Sequence, residues 1–185
     1  MKTLNIKNLC LISLFTSLTA IGAFIRVPIP VVPFTLQFLF TMLAGLLLGA
    51  KLGAISVGAY ILLGLIGFPV FTQGGGIGYI FTPTFGYIIG FLVGTYITGR
   101  MVGTTTKPSY KRILLANFTG LFVVYLFGIV YYYFISNFYL SSPIGIWPLF
   151  LYCFLLAVPG DIALCFLAAI LAKRLIPAIR KGETI

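Results

Sequence analysis

The chain has 185 residues, of which 61% are hydrophobic and 8% charged. Soluble domains carry roughly 25% charged residues, so these values exclude a soluble globular domain. Histidine is absent, and Asp161 and Glu183 are the only acids against 12 Lys and Arg. Most acid–base enzymes depend on histidine or paired carboxylates, so we expect no enzyme activity and no cofactor. The three cysteines are scattered singly through apolar segments, so we also expect no metal site.

The charged residues are separated by long uncharged segments. A membrane-spanning helix needs about 20 apolar residues. Residues 8–25 and 27–50 have room for one span each, and residues 52–99 and 113–160 have room for two spans and a connection each. We therefore predict one all-α membrane domain over residues 1–185, with six transmembrane helices and structured outer loops. The predicted spans are 9–25, 35–50, 52–68, 84–100, 113–136 and 147–172.

The basic residues of this predicted bundle are distributed unequally between its two sides. Eleven of the 12 lie near the termini or in the second and fourth connections, and Arg26 alone lies on the other side. Basic residues concentrate in the cytoplasmic loops of membrane proteins. We therefore predict that both termini are cytoplasmic, and we interpret the net charge of +10 as an orientation signal rather than a nucleic-acid-binding surface.

The predicted spans begin with a helix that has small residues on one side. Ser13 and Ser17 are four positions apart and Ala20 follows, which lets another helix approach closely. That helix is either another span of this chain or a separate membrane subunit. No GxxxxGK[ST] motif occurs in the chain, so ATP-driven uptake would need another subunit for hydrolysis.

The predicted outer loops are apolar and unusual in composition. RVPIPVVPFTLQ over 26–37 has three prolines, which favour an extended backbone. FPVFTQGGGIGYIFTPTFG over 68–86 combines a glycine triplet with aromatic residues. Glycine lets a backbone approach a ligand closely or act as a hinge, so these loops suggest a lid over a pocket. An aromatic belt at the lipid interface is the alternative interpretation.

Asp161 is the one acid inside a predicted span, about 14 residues or roughly 20 Å from its outer end. A charge at that depth is costly, so we expect the side chain to face the bundle interior. Pro159 and Gly160 precede it and can loosen the helix there. Asp161 could accept hydrogen bonds from a ligand, act as a proton-relay or cation site, or be a neutral structural residue. Gln37, near the outer loop, is a possible ligand contact, whereas the position of Asn117 favours a structural role.

Several motifs in order resemble the BioY family, the biotin-binding S components of energy-coupling factor (ECF) transporters. They are IPVVPFTLQFLFTMLAGLLLGAKLGAISVGAYILLGLIGFPVF at 29–71, GGGIGYIFTPTFGYIIGF at 74–91 and VPGD at 158–161. The resemblance implies a six-helix protein in a prokaryotic plasma membrane that binds biotin at the outer side. It also implies a transmembrane coupling subunit and two cytoplasmic ATPase subunits as partners. A stand-alone facilitator of biotin or a similar solute is the alternative, followed by a membrane enzyme and a structural scaffold.

The resemblance also implies which residues bind biotin. Asp161 would accept a ureido N–H, Gln37 or Gln73 would serve the ureido carbonyl, and aromatic residues would cover the bicycle. The expected substrate-binding set is Asp161, Gln37, Phe71, Gln73, Gly74, Gly75, Tyr79 and Tyr87, and the expected partner-docking set is Ser13, Ser17 and Ala20. Arg26 would meet the valerate carboxylate or extend to lipid head groups.

The chain departs from the family pattern at two places. It has TPTFGY at 82–87, where the family commonly has GPTGGY. It also has Leu164 at the position three residues after the aspartate of PGD, where the family often has a lysine. An Asp–Lys pair on one helical face would neutralise the acid. Asp161 must therefore depend on the ligand or on polar neighbours.

Overall fold

The computed structural model describes residues 5–27 and 32–180. This part of the chain is a helical bundle with one short hairpin. Its helices are α1 (Ile6–Phe24), α2 (Gln37–Ile66), α3 (Phe85–Val102), α4 (Tyr110–Phe134), α5 (Ile146–Phe150) and α6 (Val158–Arg180). Five segments are long and apolar enough to cross a membrane: Ile6–Phe24, Gln37–Ile66, Phe85–Val102, Tyr110–Tyr139 and Ile146–Arg180. The prediction of an all-α protein with membrane-spanning helices is confirmed.

Helix α2 covers two of the predicted spans and is sharply bent at Gly49. Gly49 has φ 82° and ψ 179°, a backbone conformation that is essentially restricted to glycine. The Gln37 Nε2 atom lies 2.7 Å from the Tyr60 hydroxyl oxygen, although a straight helix would separate these residues by about 35 Å. The two halves of α2 therefore run antiparallel and pack against each other.

We expect Gly49→Ala to destabilise the protein by about 1–3 kcal/mol, because a Cβ strains this backbone conformation. Gly58→Ala is the matched control, since Gly58 lies inside the second half of α2 and an added Cβ would meet only a Leu92 methyl group at 3.9 Å. Thermal unfolding in detergent should show a lower Tm for Gly49→Ala and an unchanged or higher Tm for Gly58→Ala. Equal Tm values for the two variants would show that the bend does not need glycine.

Small residues allow the helices of the bundle to approach each other closely. Helix α2 packs between α1 and α3, α3 also packs on α4, and α6 lies against α2 and α4. A Cβ on Gly45 would lie 2.5 Å from the Thr95 carbonyl oxygen, and one on Gly90 would lie 2.8 Å from Val124 Cα. Such contacts are typical of membrane bundles, where association depends on close packing because lipid is as apolar as the side chains.

A hairpin marks one end of the bundle, called here the hairpin end. Strand β1 (Arg26–Val27) pairs antiparallel with β2 (Phe34–Thr35). The predicted extended backbone over 26–37 is therefore observed at 26–27 and 34–35, whereas Leu36 is in a turn and Gln37 already begins α2; Pro28 and Pro30 lie outside the described residues. Glycine-rich residues 67–76 and a short 3-10 helix, Ile77–Phe81, lie between α2 and α3 at the same end.

Basic side chains cover the opposite end of the bundle, called here the basic end. Lys7 donates to the Ile179 carbonyl at 2.7 Å, so the start of α1 lies beside the end of α6. Lys173 donates to the Pro108 carbonyl at 2.7 Å, which joins α6 to the connection before α4. The Arg180 guanidinium donates to carbonyls where the first half of α2 and helix α3 end. Lys7 and Arg180 therefore stabilise the negative ends of helix dipoles there.

The last predicted span, 147–172, is interrupted before Asp161. Helix α5 continues into a π-helical turn, Leu151–Leu155, and α6 begins only at Val158. Asp161 thus lies in the first turn of α6. The interruption agrees with the presence of Pro159 and Gly160, because proline fits the first turn of a helix better than its interior.

Candidate functional site

A cavity lies below the hairpin, between α2, α3, α4 and α6, and its empty volume, counted with the open space at its mouth, is about 600 Å³. Small-molecule sites typically have few polar groups in an apolar wall. Val32, Phe34, Phe38 and Phe91 are among its apolar lining residues. The polar side chains in its wall are Thr35, Gln37, Thr72, Tyr79, Thr84, Tyr87, Tyr125 and Asp161.

The charged group of this cavity is the Asp161 carboxylate, which is 8% exposed. The Tyr125 hydroxyl on α4 donates to its Oδ2 at 2.6 Å. Within residues 5–27 and 32–180 no donor bonds Oδ1 and no ion pair involves this carboxylate. Tyr125 therefore holds one oxygen in place, and the other oxygen can accept a hydrogen bond from a ligand.

Gln37 lies in the cavity wall at the first turn of α2 and is 3% exposed. One amide N–H donates to the Tyr60 hydroxyl, which itself donates to the Val70 carbonyl at 3.2 Å. The amide oxygen makes a long contact, 3.5 Å, with the Thr35 hydroxyl. Because a glutamine amide has two N–H donors, one donor and a weakly bonded acceptor are available to a ligand.

Besides Tyr125, two tyrosines contribute aromatic surface to the cavity. The Tyr79 hydroxyl lies 2.9 Å from the Thr72 hydroxyl and 3.4 Å from the Thr84 hydroxyl. The Tyr87 hydroxyl donates to the Cys153 carbonyl at 2.8 Å, which ties α3 to the π-helical turn. Both hydroxyls are bonded within the protein, so each ring is held in place as part of the cavity wall.

The other predicted substrate-binding residues are not in the cavity wall. Phe71 is fully buried behind it and packs against Tyr79, with ring centroids 4.4 Å apart. Phe71 and Gly74 exchange two backbone hydrogen bonds, and a Cβ on Gly75 would lie 2.1 Å from the Phe68 carbonyl oxygen. Gln73 is exposed on the loop. The glycine-rich connection after α2, residues 67–76, therefore shapes the cavity indirectly, by positioning Tyr79.

Arg26 connects the hairpin to the loop that follows α2. Its guanidinium donates to the Thr72 carbonyl at 2.9 Å, and the Thr72 side chain lines the cavity. The side chain remains exposed. Arg26 therefore fastens two segments at the cavity rim, a contact that neither of its two sequence-based interpretations included.

Sequence reasoning did not identify Tyr125, which lies 36 positions before Asp161. The available signal was a phenol inside an apolar span, because a buried tyrosine hydroxyl usually has a hydrogen-bond partner. The chain has 11 tyrosines, so this signal alone could not distinguish Tyr125 from the others.

Asn117 has the structural contact expected from its position near the basic end. Its Nδ2 donates to the Cys165 carbonyl at 2.9 Å, which joins α4 to α6. In the described part of the chain, its Oδ1 is the only buried side-chain N or O atom without a hydrogen bond.

Two of the three predicted docking residues lie on the outer surface of α1. Ser13 and Ser17 are exposed and Ala20 is half-buried, whereas Ile12 and Phe15 on the other face are buried in the bundle. The described helices of this chain therefore leave Ser13 and Ser17 uncovered.

Comparisons with known proteins match nearly the whole chain to one family. The profile of the BioY family matches residues 1–181. A probable biotin transporter BioY from Lysinibacillus sphaericus is 42% identical, covering 96% of this chain and 91% of the relative. One from Pyrococcus horikoshii is 40% identical, covering 91% of this chain and 96% of the relative. The crystal structure at 2.1 Å of the S-component for biotin from an ECF-type ABC transporter matches with a TM-score of 0.78 and 31% identity, covering 95% and 93% of the two chains.

Proposed function

Because the chain belongs to the BioY family, we propose that it is the biotin-binding S component of an ECF-type transporter. The membership confirms the resemblance found in the motifs, and this is a family of transporter components rather than enzymes. The observation that carries the proposal is a largely apolar cavity, at the hairpin end, that contains one buried carboxylate.

The polar groups of this cavity fit the ureido ring of biotin, which has two N–H donors and one carbonyl acceptor. Asp161 Oδ1 accepts one N–H, a charge-assisted hydrogen bond worth roughly 1.5–3 kcal/mol. The second N–H of the Gln37 amide can donate to the ureido carbonyl. The Tyr79 and Tyr87 rings cover the apolar bicycle, as in other sites where a few polar groups orient an apolar ligand.

The remaining predicted substrate-binding residues lie outside the cavity wall. Phe71, Gly74 and Gly75 support the loop that carries Tyr79, so their effect on biotin is indirect. Gln73 stays a predicted contact, at an exposed position of the same loop.

Six membrane spans with both termini cytoplasmic form the proposed topology. The antiparallel halves of α2 support counting two spans there, which raises the five long segments to six. The basic end, where Lys7 meets Ile179, then faces the cytoplasm, and the hairpin end with the biotin cavity faces outward.

The partners are a transmembrane coupling subunit and two cytoplasmic ATPase subunits, which supply the ATP hydrolysis for which this chain has no phosphate-binding motif. The exposed Ser13 and Ser17 face of α1 is the proposed docking surface for the coupling subunit, with Ala20 at its edge.

Isothermal titration of the purified chain in detergent with biotin tests this function. We expect saturable binding at micromolar or lower biotin, and none with heptanoic acid, which has a comparable carboxylate chain but no ureido ring. Absence of saturable biotin binding would contradict the proposal. Biotin uptake by the purified chain alone in liposomes would favour the stand-alone facilitator.

We expect Tyr125→Phe to weaken biotin binding about 2- to 12-fold, since it removes one hydrogen bond of roughly 0.5–1.5 kcal/mol that orients the Asp161 carboxylate. Titration of Tyr125→Phe, of Asp161→Asn and of the double variant completes a double-mutant cycle. The two effects should not add, because the residues are in contact. Strict additivity would indicate that Tyr125 does not act through Asp161.

A further inference from the structure

An open cleft with an empty volume of about 990 Å³ lies at the basic end, away from the biotin cavity. It is bounded by the bend of α2, the ends of α3 and α6 and the first turns of α1. Its charged lining residues are Lys51, Arg100 and Arg180, which come from three different helical segments. The cleft therefore gathers cations that are far apart in the chain.

Two of these lining cations have no protein partner in the described residues. Lys51 and Arg100 are exposed and make no hydrogen bond or ion pair within 5–27 and 32–180. Arg180 is 7% exposed and donates at 2.7 Å to the carbonyls of Leu46 and Gly103. Arg180 thus holds the cleft walls together, while Lys51 and Arg100 have unpaired charges within the described residues.

The described residues contain no acid that could neutralise these charges. Asp161 is the only carboxylate side chain in that part of the sequence, and it is bonded to Tyr125 in the other cavity. An anionic ligand would supply the countercharge that Lys51 and Arg100 lack within these residues. At the cytoplasmic surface of a membrane, the abundant source is the phosphate of anionic lipids, for which basic pockets between transmembrane helices are typical sites.

The lining of the cleft is apolar as well as basic. Leu11, Leu48 and Leu52 lie beside the cations, and Thr104 and Thr106 add hydroxyl groups. An amphiphile with a phosphate head and acyl chains matches both the basic and the apolar lining residues, whereas a free phosphate ion would contact only the polar residues of the cleft.

We propose that this cleft binds the headgroup of an anionic phospholipid of the cytoplasmic leaflet. Lys51 and Arg100 contact the phosphate, the threonine hydroxyls donate to its oxygens, and the leucines contact the first part of the acyl chains. The leaflet assignment rests on the proposed topology, but the chemistry of the site does not depend on biotin binding.

Native mass spectrometry of the full chain in detergent, titrated with phosphatidylglycerol or phosphatidylcholine, tests this site. The test variant is Lys51→Gln with Arg100→Gln, and the matched control is Lys107→Gln with Lys111→Gln. The control removes the same charge from the same end of the bundle, at positions that do not line the cleft. Biotin titration and Tm measure the folding of both variants.

We expect the wild type to bind phosphatidylglycerol more tightly than phosphatidylcholine. The cleft variant should lose on the order of 25-fold in phosphatidylglycerol affinity, about fivefold for each removed charge, while the control remains close to wild type. Equal losses in the two variants would indicate general charge attraction and overturn the site. No preference between the lipids would also overturn it, and displacement by inorganic phosphate at equal concentration would identify a free anion instead of a lipid.

Discussion

Asp161→Asn should weaken biotin binding about 10- to 100-fold, because it replaces a charge-assisted hydrogen bond with an unfavourable contact. The asparagine oxygen can still accept the Tyr125 hydroxyl, which leaves its NH2 group facing the cavity. A ureido N–H would then meet another donor rather than an acceptor. The shape of the side chain is almost unchanged, so the effect should lie in ligand binding.

Isothermal titration with biotin measures this effect, and Tm without biotin measures stability separately. Thr119→Ala is a suitable control, since it removes a polar group that bonds only the Leu115 carbonyl of its own helix. The control should bind biotin as the wild type does. If Asp161→Asn keeps wild-type affinity, Asp161 is a structural residue and the biotin pose proposed above is wrong.

Replacing Ser13 and Ser17 with tryptophan should abolish biotin uptake by the assembled transporter while leaving biotin affinity unchanged. Both side chains are exposed on α1 and neither lines the cavity, so the bulk should obstruct only a neighbouring subunit. Close helix contact between membrane subunits requires small residues at the interface. We expect at least a tenfold lower rate of uptake in vesicles that contain all subunits.

Ala163→Trp is the matched control for this pair. Ala163 is also a small, exposed residue on a membrane helix, but it lies on α6. Uptake should persist in the control. Loss of biotin binding in the serine variant would place these residues in the fold of this chain, and normal uptake would exclude this face as the docking surface.

Local sequence patterns predicted a helical membrane protein and the approximate positions of its long apolar helices. Charge spacing delimits the apolar windows, and turn-forming residues such as the glycines and prolines at 68–86 divide the longer ones, since each span is long enough for its composition to reveal it. Even the bend at Gly49 falls beside Lys51, the charge that divides the second predicted span from the third. The interruption before Asp161 was likewise suggested by Pro159 and Gly160.

The cavity wall was predictable only in part. Asp161 and Gln37 were identifiable because a polar side chain in an apolar span needs a partner. Phe71 and Tyr79 are indistinguishable on that basis, since both are aromatic residues of one loop. The structure places Tyr79 in the wall and Phe71 behind it, and the difference comes from how the loop folds onto α2.

The sequence by itself determined that this chain is a helical membrane protein, where its charges lie and that one acid is within the apolar region. It also determined the family, through motifs that extend along most of the chain. The tertiary structure alone decided that Tyr125 meets Asp161 and that Lys51 and Arg100 share a cleft. Such contacts depend on helix rotation and on close approach between distant segments, which are set by the packing of the whole bundle and leave no local pattern.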